Sequence, residues 1–120
     1  MKTLLLMRHA KSDWADGSLR DFDRPLSERG ERDAPRMARA LKKLGPLPDV
    51  IISSPAARAR QTARAVVEAG GLDARLEFDG AIYEASTSEL MSLVRKIPDD
   101  VACAMLIGHN PGFEGMVARL

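Results

Sequence analysis

The chain has one cysteine in 120 residues, so it can form neither an internal disulfide nor a thiolate metal cluster. That cysteine, Cys103, lies inside an apolar run and reads as a small buried hydrophobe. Aromatics are scarce: Trp14, Phe22, Phe78, Tyr83 and Phe113 are scattered and offer no stacking platform for single-stranded nucleic acid. No apolar stretch approaches the ~20 residues of a membrane span, and the run after Met1-Lys2 breaks at Arg8, too short for a secretory signal. No membrane partner is expected, and a cytoplasmic location is the default. Neither sign of charge dominates: 18 basic and 17 acidic residues are interspersed and leave a net +1, so no global field recruits nucleic acid or an anionic membrane. Any anion must be held locally.

What is present is an ordinary soluble composition, 45% apolar and 29% charged, in a length that suits one domain over residues 1–120. Leu4 to Met7 is a short apolar run that stops at Arg8 and His9, as a strand buried on both faces would when it leaves a parallel sheet. Residues 11–23 are polar and aperiodic, a long loop at that end of the sheet. Trp14 within it reads as a hydrophobic plug, with a place on a cleft rim as the alternative. Ser27 then caps a helix carrying one apolar stripe through Ala34, Met37, Ala38, Leu41 and Leu44, and Gly45-Pro46 ends it. Pro35 lies too deep for the first turn, so a kink there or a restart capped by Asp33 is expected.

Residues 49–53 form a β-branched strand leading into Ser54-Pro55, an N-cap hydroxyl and first-turn proline for a helix over 56–69 that Gly70-Gly71 stops. Residues 74–78 alternate like an edge strand, and Ser86 or Thr87 caps a helix over 88–96. Residues 101–107 form a second nearly unbroken apolar strand, ending in Gly108-His109-Asn110-Pro111-Gly112, where Asn110 and Pro111 open a closing helix. Alternating strands and helices predict an α/β fold with a mostly parallel sheet between helical layers.

The two histidines of the chain, His9 and His109, both stand where an apolar strand leaves the core. Arg58 and Arg60 lie near the entrance of the second helix, where the dipole favours an anion over a cation. Arg60 reads as solvent-facing, while Arg58 is either solvent-facing or part of an anion site. If the three strands are parallel neighbours, two arginines and two imidazoles meet in one crevice. Forked, permanently charged guanidinium groups suit a phosphate dianion there, and an imidazole can attack phosphorus.

Met7-Arg8-His9-Ala10, the run from Ser53-Ser54-Pro55 to Thr62-Ala63, and Gly108-His109-Asn110-Pro111-Gly112 resemble the three signatures of the histidine phosphatase superfamily, the phosphoglycerate mutase-like fold. The run from Asp23-Arg24-Pro25 to Gly30 is similar to its SixA-type phosphohistidine phosphatase branch. The resemblance implies a three-layer α/β/α architecture, and its usual C-terminal continuation would make this chain short at that end. It implies a metal-independent phosphatase without a cofactor, acting on a phosphorylated protein or a small phosphorylated substrate. His9 would be the nucleophile, with Arg8, Arg58 and His109 holding the phosphoryl group. Larger members supply a catalytic acid from an insertion, and Glu84 is the substitute here. Ala10 stands where many members carry glycine, a change that the branch tolerates. A catalytically weak phosphate-binding module is the alternative. A metal site on His9 and His109 lacks further ligands at recognisable spacing, and Arg8 would repel the cation. The sequence gives no oligomeric state.

Overall fold

A computed structural model describes residues 3–119. Four strands, β1 (Thr3–Arg8), β2 (Val50–Ser53), β3 (Arg75–Phe78) and β4 (Cys103–Gly108), form one sheet in the order β1-β4-β2-β3. All the pairings are parallel. The central strand β4 is buried along its whole length, which is why its sequence reads as an unbroken apolar run rather than an alternation. At the edge, β3 is mostly exposed, as its alternation predicts.

Side chains alternate across the sheet. Met7, Ile51, Met105 and Ile107 face one way and pack with Ala38 of α1 (Glu28–Leu44) and with Ala59, Ala63 and Val66 of α2 (Ala57–Gly70). Leu4, Leu6, Ile52 and Leu106 face the other way, against Leu90 of α3 (Thr87–Arg95) and Phe113 and Met116 of α4 (Gly112–Arg119). This is the expected three-layer α/β/α sandwich. Neighbouring strands β1 and β4 therefore send their following helices to opposite faces, and such a divergence opens a crevice at their carboxyl ends.

Ser27 caps α1 by accepting from the Gly30 N–H, and Ser86 caps α3 in a reciprocal capping box with Glu89. Other local expectations fail. Helix α1 continues through Pro35 with no restart at Asp33. The missing N–H removes the partner of the Glu31 carbonyl, and Glu31 is exposed, so water can substitute. Asp33 instead pairs with Arg29 and Arg36. Helix α2 begins at Ala57 with Ala56 as its cap, because the Ser54 hydroxyl is used elsewhere. Helix α4 starts one residue after Pro111, with Asn110 Oδ1 accepting from the Glu114 N–H. Cys103 is free and buried as expected, and burial pushes its thiol pKa up.

Candidate active site

Register delivers the site. Arg8 pairs with Gly108 and Ser53 with Ile107, so β1, β4 and β2 end at one level. The ladder extends one step further: the His9 N–H donates to the Gly108 carbonyl (3.0 Å) and the Ser54 N–H to the Ile107 carbonyl (2.9 Å). The His9 and His109 rings consequently stand 5.2 Å apart.

His9 is held in one tautomer. Its Nδ1–H donates to the Ala10 carbonyl at 2.6 Å, which leaves Nε2 unprotonated, and its lone pair accepts from the Arg58 Nε–H at 3.3 Å. The turn is fixed in its own right, since the Ala10 N–H donates to Thr62 Oγ1, whose hydroxyl donates to the Arg58 carbonyl. Burial above all lowers the His9 pKa, the neighbouring Arg58 and Arg8 charges add to this, and the Ala10 hydrogen bond opposes it. A neutral, oriented imidazole results.

Arg58 is buried (8% exposed), unlike the exposed Arg60, and a buried cation needs partners. Asp21 supplies them: Nη1 donates to its carbonyl at 2.7 Å and Nη2 to its Oδ2 at 3.0 Å. The Tyr83 hydroxyl donates to the same Oδ2 at 2.7 Å. That bond, followed by Arg58, holds the Asp21 carboxyl below its usual pKa, while desolvation and the Asp21 charge push the Tyr83 phenol up to about 12. The Tyr83 ring meets Phe22 and His109 edge-on, at 5.0 and 5.6 Å. Sequence reasoning missed Asp21 and Tyr83. The available signal was indirect: an arginine inside the α2 entrance implies a carboxylate, and the polar loop before Pro25 contains several.

His109 Nε2 hydrogen-bonds Ser54 Oγ at 2.8 Å, while its Nδ1 is buried without a hydrogen-bond partner among the described residues. Protonation would bury an unpaired N–H, and desolvation, then the Arg58 charge, bring the pKa down to about 4. Ser54, expected as a helix cap, is thus a site residue; it also accepts from the Ala56 N–H.

Two clefts flank the histidine pair. One, of about 440 Å³, is lined by Arg8, His9, Lys11, Trp14, Arg29 and Asp33 among others. The other, of about 540 Å³, takes in Asp21, Arg58, Tyr83, Glu84, Glu89 and His109. Arg8 is exposed, and its guanidinium makes no hydrogen bond or ion pair among the described residues. Glu84 is exposed on the second cleft and has φ of 56°, a left-handed conformation costly for a residue with a Cβ. Trp14 is not a plug. It is 69% exposed on the rim, with the buried Arg24 guanidinium stacked 3.9 Å from its ring centroid. Among the described residues, no group of three or more His, Cys, Asp or Glu is placed to hold a metal ion.

The profile of the histidine phosphatase superfamily (branch 1) matches residues 4–101, which take in His9 and Arg58 and stop just before β4 and His109. This chain belongs to the histidine phosphatase superfamily. Among superfamily structures similar to it, one assigned as the phosphohistidine phosphatase SixA of Agrobacterium tumefaciens is 36% identical, with a TM-score of 0.92 over 99% of this chain and 77% of that one. The protein histidine phosphatase SixA complexed with tungstate is 26% identical, with a TM-score of 0.81 over 98% of this chain and 75% of that one. An uncharacterized chloroplastic protein of Arabidopsis thaliana is 39% identical over 99% of this chain and 59% of its own length. An uncharacterized protein of Mycobacterium tuberculosis is 35% identical over 88% and 63%. The chain thus spans about three fifths of the length of these curated relatives.

Proposed function

We propose that this histidine phosphatase domain, residues 1–120, hydrolyses a phosphoryl group through a covalent intermediate on His9. The observation that carries this reading is the unprotonated Nε2 of a neutral His9, whose Nδ1–H is held by the Ala10 carbonyl and whose lone pair accepts only a long bond from Arg58 Nε–H, 3.3 Å, which an entering phosphoryl group displaces. The Nε2 lone pair attacks phosphorus as the bond to the leaving group breaks. Water then attacks the same phosphorus from the opposite side, the P–N bond breaks, and its electrons return to Nε2 while the water proton passes to solvent. Arg8, Arg58 and His109 hold the three equatorial oxygens, whose charge grows in the transition state. His109, neutral in the free protein, gains reason to be protonated once a dianion enters. No metal takes part in these steps.

The substrate is phosphohistidine in a protein or a small phosphoester, in keeping with the phosphohistidine phosphatases among the similar structures. Glu84 is the carboxylate that protonates the leaving group when the substrate is an alkyl phosphate; a labile P–N bond needs less help. Turnover of a phosphohistidine peptide, measured beside a panel of phosphomonoesters, tests the assignment. Hydrolysis of the peptide that disappears in His9→Ala is the expected result, and hydrolysis that survives the substitution would refute it.

A further inference from the structure

The cleft on the β1 side of His9 has a charge that the phosphoryl group alone does not use. Arg8 at the strand end, Lys11 in the following loop and Arg29 in the first turn of α1 line it, against one carboxylate, Asp33. Asp33 pairs with Arg29 at 3.5 Å and with Arg36 at 3.9 Å. No carboxylate of the described residues pairs with Arg8 or the Lys11 ammonium. The opposite cleft has the reverse balance, with Asp21, Glu84 and Glu89 against Arg58.

The cationic cleft is a built feature. Ser27 donates to the Lys11 carbonyl from both its N–H (2.8 Å) and its hydroxyl (3.1 Å), which ties the start of α1 to the loop after His9. Gly30 makes that approach possible, because a Cβ there would lie 2.1 Å from the Lys11 carbonyl oxygen. The exposed indole of Trp14, backed by Arg24, forms the rim. Three cations from three successive segments suit an extended acidic stretch better than a single small anion.

We infer that this cleft binds acidic residues flanking the phosphorylated residue of a protein substrate, with Lys11 and Arg29 setting the preference and Trp14 covering the bound chain. This deepens the phosphatase reading and rests on it. The neighbouring acidic cleft sharpens the selection, since it repels the same segment from the wrong side of His9.

Trp14 is the only tryptophan, so its fluorescence reports occupancy of the cleft without any turnover. Two unphosphorylated pentapeptides, with histidine flanked on each side by two glutamates or by two glutamines, differ in charge and little else. The glutamate peptide should shift Trp14 emission and bind about tenfold more tightly, as two surface ion pairs of up to ~1 kcal/mol each allow. The preference should shrink in 0.5 M salt, where the screening length falls to about 4 Å, and drop towards unity in the Lys11→Gln, Arg29→Gln double variant. Equal binding of the two peptides, or a preference that survives the double variant, overturns the assignment. A preference seen without any phosphoryl transfer to His9 supports an acidic-segment site and defeats only the phosphatase reading.

Discussion

The two clefts beside the histidine pair hold their cations in opposite ways. On the β4 side Arg58 is buried and committed, with Nη1 and Nη2 bound to Asp21 and Nε turned to His9. On the β1 side Arg8 and Lys11 have no carboxylate partner among the described residues. A fixed cation costs no reorganisation when charge develops in a transition state, whereas an unpaired one in solvent is available to a ligand's ground state. Arg58 should therefore govern kcat, and Lys11 and Arg29, which touch no reacting atom, should govern KM.

The largest effect should come from Arg58→Met, which removes a preorganised donor and should lower kcat by about 10²–10³, with a smaller change in KM. A change of similar size confined to KM would abolish the distinction between the clefts. Next, Asp21→Asn should cost about tenfold in kcat, since it weakens a charge-assisted bond worth ~1.5–3 kcal/mol while the Arg58 side chain remains. The substitution has a second readout: Asp21 raises the pKa of both imidazoles, so histidine NMR titrations should move lower in the variant. Asp21→Glu should restore part of both. If only melting temperature changes, Asp21 acts through stability alone.

Both imidazole pKa values are depressed by folding, His109 to about 4 from its ordinary 6.5. Unfolded chains bind protons near 6.5 and the folded chain does not, so stability is full above that pH and falls as pH drops towards 4. Melting curves across that range should show the decline, and a phosphate analogue, bound beside His109 as proposed, should reduce it. The smallest change is expected for Glu84→Gln, within about twofold on a phosphohistidine substrate because the leaving group needs little acid help. A much larger loss would make Glu84 part of the machinery for that substrate as well.

The residues legible in sequence were those whose roles follow from local patterns. An apolar strand ending in Arg8-His9, its counterpart ending in His109, the Ser27 and Ser86 caps and the half-exposed edge strand need only nearest neighbours to be read. What escaped depends on distant pairing. Asp21 meets Arg58 across 37 positions and Tyr83 across 62, separations that leave no periodic trace. Ser54 looked like a helix cap because its hydroxyl has that chemistry; the site fixes its partner as His109. Trp14 was misplaced for a related reason, since an indole normally gains from burial and its contact with the Arg24 guanidinium, ten positions on, is not visible in local pattern. At Pro35 the helix runs on without the restart that Asp33 could have capped.

The central claim, that His9 Nε2 carries the phosphoryl group, is tested most directly by mixing the protein with a labelled phosphohistidine peptide, quenching within one turnover and mapping the label by mass spectrometry. One acid-labile phosphoryl group on His9, absent from His9→Ala and still formed in the Lys11→Gln, Arg29→Gln double variant, is the predicted result. Hydrolysis proceeding with no label on His9, or with the label on another residue, would contradict it.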